Sequence, residues 1–90
     1  MGEKSANITA KQLAARFKWL QRFDDPELDE IAMCSTDERL EEGQEYFDIS
    51  HPERGIIRGE TGGQVPAGAC YVARKLLSPR AWSKLTTQLH

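Results

Sequence analysis

The spacing of apolar positions changes twice along the chain, and each change marks a switch between helical and extended structure. At about 100° per residue, Ala10, Leu13, Ala14, Phe17 and Leu20 fall on one arc, so a helix is expected there. Thr9 is placed to cap it and Gln12 to complete a capping box, with Ile8 and Leu13 positioned as a hydrophobic staple. The spacing predicts this helix through about Phe23, where Asp24-Asp25-Pro26 stops it. Trp19 and Phe23 project from a different side, and the next helix folding over them would bury them.

That next helix opens at Asp25-Pro26-Glu27, with Asp25 as cap and the proline in the first turn. Leu28, Ile31 and Ala32 form its inner face, and Cys34-Ser35-Thr36-Asp37 reads as its end. From Leu40 the period becomes two. Phe47 and Ile49 alternate with Tyr46, Asp48 and Ser50, as in a half-buried strand. Ile56-Ile57-Arg58 and Ala69 to Leu77 are further extended candidates, separated by the turn-rich GETGGQVPAG. Ser78 and Pro79 restart a helix whose stripe is Trp82, Leu85 and Leu89, with Leu77 stapling onto Trp82.

The expected architecture is α+β: an N-terminal helical hairpin, a three-stranded antiparallel meander, and a C-terminal helix packed on one face. Residues 1–7 are expected to be a flexible N-terminus and residues 8–90 a single small domain. The short apolar runs after residue 55 leave strand register open.

Composition narrows the class. Ninety residues, 39% of them hydrophobic and 29% charged, suit one small core. No apolar run approaches the roughly 20 residues that cross a bilayer, and the first residues lack the apolar stretch of a secretory signal. No membrane partner is expected, and the location is expected to be cytoplasmic. Cys34 and Cys70 lack a Cys-x-x-Cys spacing or clustered histidines, so they read as reduced, buried residues with no metal or other cofactor.

Charge is segregated beneath a net of -2. Residues 1–23 carry +4, residues 24–53 carry -11 and residues 54–90 carry +5. The acidic block, with Glu41, Glu42 and Glu45 at its centre, could dock a basic partner protein, or a second copy, if Trp19, Phe23 or Trp82 were exposed as apolar anchors. Alternatively Lys11, Lys18 and Arg22, within about 40° of one another on a continuous helix, could contact nucleic-acid phosphates. An isoelectric point near 5.6 opposes that second reading. Arg74, Lys75, Arg80 and Lys84 add positive charge at the other end.

The remaining candidate is Ser50-His51-Pro52-Glu53-Arg54-Gly55. Proline followed by glycine between two strands is turn chemistry, whereas catalysis by His51 would need an orienting carboxylate, a pocket and a nucleophile. A turn is therefore expected. The run from Leu40 to Ile49, followed by His51-Pro52-Glu53-Arg54, resembles a segment of short uncharacterised bacterial proteins, a resemblance that implies no activity, substrate or cofactor. The expected function is a small protein-interaction or regulatory module using an acidic surface. Nucleic-acid binding is the alternative and a small enzyme the third reading.

Overall fold

Local sequence signals fix where the helices begin. In the computed structural model, which describes residues 8–87, α1 (Ala10–Arg16) starts at a capping box. The Gln12 N–H donates to Thr9 Oγ1 at 3.1 Å and the Thr9 N–H donates to Gln12 Oε1 at 3.0 Å. α2 (Asp25–Met33) is capped by Asp24 rather than by Asp25. Glu27 decides this, because its carboxylate reaches back to the Asp24 N–H at 2.8 Å and closes a second capping box. α3 (Pro79–Thr86) opens as expected, with Ser78 Oγ accepting from the Ala81 N–H at 3.2 Å.

The first helix does not run to Phe23. It stops at Arg16, Phe17 is extended (φ -124°, ψ 90°), and Lys18–Arg22 forms a separate 3-10 turn. The break has a packing reason. A continuous helix would aim Trp19 and Phe23 away from the arc of Leu13 and Leu20, and the extended residue turns both aromatics toward the core.

Four strands make one antiparallel sheet: β1 (Ser35–Thr36), β2 (Glu45–Asp48), β3 (Ile56–Arg58) and β4 (Tyr71–Ala73), in the order β1-β4-β2-β3. The expected meander is thus corrected in two ways. β4 pairs with β2, placing Val72 opposite Phe47, rather than with β3. The residues expected to end α2 instead contribute β1, with Ser35 opposite Val72. β2 and β4 are central and, Glu45 apart, buried on both sides; β1 and β3 are the edges.

The two faces of the sheet are covered differently. Phe47, Ile49, Cys70 and Val72 face the helices, packing with Leu13, Leu20, Phe23, Ile31, Trp82 and Leu85. Tyr46, Tyr71 and Ala73 face the other way, under Leu40, Val65 and Ala69 of two long loops. Those loops are pinned by backbone bonds from Leu40 to the Gly63 carbonyl (3.1 Å) and from Val65 to the Glu38 carbonyl (3.0 Å). This second cover explains why Tyr46, Phe47, Asp48 and Ile49 are all buried, where alternation alone predicts that half would be exposed. The expected flexible N-terminus, Leu89 of the last stripe and His90 lie outside the described residues. Among the described residues no helix is long and apolar enough to cross a membrane.

Candidate functional site

The aromatic side chains considered as anchors belong to the core. Phe23 and Trp82 are buried and Trp19 is largely covered. Trp19 lies edge-on to Phe23 (centroids 6.1 Å apart) and tilted against Phe47 (6.2 Å), which in turn meets Trp82 edge-on at 6.4 Å. The indole N–H of Trp19 donates to the Ile49 carbonyl at 3.0 Å. Phe23 is covered from the α3 side by the Lys84 ammonium, 5.3 Å from its ring centre. An aromatic contact with a partner at Trp19, Phe23 or Trp82 is therefore not available on this surface.

The acidic block is also partly consumed within the molecule. Glu41 accepts from Lys75 at 2.5 Å, and Glu45 lies 3.7 Å from Arg58 and 3.8 Å from Arg74. Glu27 accepts from Lys84 at 2.8 Å and Asp37 lies 3.4 Å from Arg16. Each of these pairs joins the acidic middle of the sequence to a basic end. Folding recombines the charges that the sequence separates, so Glu41 and Glu45 do not form a bare acidic face with the exposed Glu42. The Glu41 partner holds the Lys75 ammonium above its usual range, and the hydrogen bond from Lys84 holds the Glu27 carboxyl below its own.

The basic stripe loses its helical basis at Phe17. Lys11 stands on α1, while Lys18 and Arg22 stand on the 3-10 turn, where residues four apart are rotated by about 120°. The three cations do not share one helix face.

Instead, an open groove of about 660 Å³ lies along α1 and α2. Its lining includes Ala10, Ala14, Ala15 and Leu28, with Lys11 on the α1 side and Asp25 and Asp29 on α2. The two aspartates are one helical turn apart, both are exposed, and neither has an ion-pair partner among the described residues. Sequence reading missed this groove because it treated Ala10 and Ala14 only as core positions. Three alanines on α1 leave room there, and Ala15 was the available signal.

The turn after β2 holds the other unusual feature. Asp48 is fully buried. Its Oδ1 accepts from Ser50 Oγ at 2.5 Å and from the His51 N–H at 3.2 Å, which stitches the turn into a 3-10 segment, Pro52–Arg54. Its Oδ2 lacks a hydrogen bond and lies 3.5 Å from Arg54 Nη1. Gly55 closes the turn with φ +75°, a left-handed value that suits glycine. Beside it Ser50, His51, Arg54 and Tyr71 line a cleft of about 190 Å³. Burial and the Asp48 charge push the Tyr71 phenol above its ordinary value.

The groups around His51 are not arranged as a relay. The His51 ring faces Glu53 at 3.4 Å, while the Ser50 hydroxyl is directed to Asp48. The geometry here is that of a turn built on a buried carboxylate. Both cysteines are free and buried, and burial pushes the Cys70 thiol up to about 11. Among the described residues no group of three His, Cys, Asp or Glu side chains is placed to hold a metal ion.

Comparison with protein-family models, with curated proteins and with solved structures finds no match in any of the three.

Proposed function

We propose that the protein is a small, non-enzymatic protein-interaction module, and that its α1–α2 groove receives an amphipathic helix of a partner protein. The observation that carries this reading is the groove's composition: an alanine and leucine floor beside the unpaired Asp25 and Asp29. Small side chains let a second helix approach closely. Two carboxylates at i, i+4 spacing match lysine or arginine residues at the same spacing on the incoming helix. The occupant is therefore apolar on one side and basic along the border that faces α2. This keeps the expected basic partner and moves its contact from Glu41 and Glu45 to the exposed rim of α2.

The test is affinity capture from nuclease-treated lysate, followed by binding measurements on the purified partner. Reversing Asp25 and Asp29 to lysine, or filling the groove with Ala15→Trp, should weaken binding at least about tenfold, the loss of a central contact. Reversing Glu41, Glu42 and Glu45 should leave it within about twofold, as for charges outside a contact. The opposite ranking would overturn the groove assignment. Recovery of nucleic acid alone, lost on reversing Lys11, Lys18 and Arg22, would overturn the protein-interaction reading itself.

A further inference from the structure

β3 is an edge strand whose outer backbone groups have no hydrogen-bond partner among the described residues. Asp48 donates to the Gly55 carbonyl at 3.2 Å and Gly59 donates to the Gln44 carbonyl at 2.9 Å. Bonds at residues 55 and 59 place Ile57 in the intervening bonded pair with Tyr46, its register partner. The N–H and C=O groups of Ile56 and Arg58 therefore point away from the sheet. Their side chains share one face, and Ile56 is 48% exposed.

Two rows of side chains run across the sheet and stop at this edge. In one, Val72, Phe47 and Ile56 stand on neighbouring strands, an apolar row whose last member is open to solvent. In the other, Arg74, the residue just past β4, Glu45 and Arg58 alternate in sign, with Glu45 3.8 Å from Arg74 and 3.7 Å from Arg58. Directly opposed residues on adjacent strands stabilise a sheet when apolar meets apolar and charge meets opposite charge. A fifth strand that continues both rows carries an apolar residue beside Ile56 and an acid beside Arg58.

We propose that β3 accepts an extended segment of a partner protein as an added antiparallel strand, with an acidic and an apolar residue two positions apart. This surface is separate from the α1–α2 groove and stands on different residues. A second copy of β3 fits poorly. Symmetric antiparallel pairing centred on Ile56 sets Arg58 against Arg54, centred on Ile57 sets it against Ile56, centred on Arg58 sets it against another Arg58, and centred on Gly59 sets Ile56 against Gly62, so none continues both rows. A cation on an edge strand is also a common device against self-pairing.

The experiment follows backbone amides of the isotope-labelled full chain by NMR during titration with the peptide acetyl-Thr-Glu-Thr-Val-Thr-amide. Binding at millimolar concentration should shift the Ile56 and Arg58 amides and slow their exchange with solvent. Replacing the peptide's glutamate by lysine should weaken binding roughly three- to tenfold, and Arg58→Glu should reverse that preference. Ile56→Pro removes an outward N–H without removing a ladder bond, so it should abolish binding while the other amide signals persist. Absence of shifts at these two amides, or equal response to both peptides, would overturn the proposal. Slow exchange at both amides before peptide is added, with a dimeric mass, would show the edge taken by a second copy and overturn it too.

Discussion

The indole N–H of Trp19 donates to the carbonyl of Ile49, joining the 3-10 turn after α1 to the residue that follows β2 across 3.0 Å. Thirty positions of sequence separate the two groups, so the bond belongs to the tertiary fold. Trp19→Phe retains ring packing against Phe23 and Phe47 but strands the carbonyl. Stability should fall by about 1–2 kcal/mol, read from urea unfolding.

Asp48 should be more sensitive. Asp48→Ala removes the acceptor for Ser50 Oγ and the His51 N–H and leaves Arg54 without its buried partner. A loss of about 2–4 kcal/mol is expected. Ser50→Ala, which keeps the backbone bond, should cost only about 1 kcal/mol. Equal losses in the two variants would show that the carboxylate does not organise the turn.

Gly59 is a position of close approach. A Cβ built there would lie 2.1 Å from the carbonyl oxygen of Glu41, a backbone atom with little freedom to withdraw. Gly59→Ala must push apart the strand and the loop that covers Tyr46. It should destabilise by about 2 kcal/mol or more, whereas Ala67→Gly, on the exposed loop, should change stability by about 0.5 kcal/mol or less.

The Glu27–Lys84 pair sets one part of the acid response. Its hydrogen bond to Lys84 lowers the Glu27 carboxyl from its ordinary value of 4.5. The folded state therefore releases this proton more readily than the unfolded chain. The resulting stabilisation is complete above about 4.5 and is lost as pH falls through the lower, folded value. Lys84→Met should flatten the stability profile in that window and leave its shape near neutrality unchanged. Lys75 gives the converse. Raised by Glu41, it contributes stability below its ordinary value of 10.5 that disappears as pH rises through the folded value.

Cys34 and Cys70 should resist thiol reagents in the folded protein. With its thiol pushed up to about 11, only about 0.1% of Cys70 is thiolate at pH 8, and the sulfur is covered as well. A direct disulfide is excluded by register. The Cys34 carbonyl accepts from the Ala73 N–H at 3.0 Å, three positions along the chain from Cys70, too far for the two Cα atoms to be bridged. Titration with an aromatic disulfide should release two equivalents only after denaturation; fast release from the native protein would contradict this burial.

Helix starts were legible because their signals are local. Thr9 with Gln12, and Ser78 with Pro79, need only neighbouring residues to act, and both caps stand where the spacing puts them. The interruption at Phe17 was not legible, since it is resolved by where Trp19 and Phe23 find their burial. β1 was equally hidden: Ser35 and Thr36 carry no alternation, and only the neighbouring Tyr71 and Val72 make them a strand. The groove is a packing product too, formed where α1 presents alanines toward α2.

The sequence by itself determined the α+β class, the helix starts, the turn at His51 and the segregation of charge, because each follows from periodicity, capping or composition within a few residues. Only the tertiary structure decided the rest. It set strand order by placing the residues buried on both faces, β2 and β4, at the centre. It returned the segregated charges to one another as ion pairs between distant segments. Among the described residues it also left Asp25, Asp29 and the outer edge of β3 unpaired. Which charges and backbone groups remain available depends on contacts between residues far apart in the chain, and those contacts are set by the packing of the whole core.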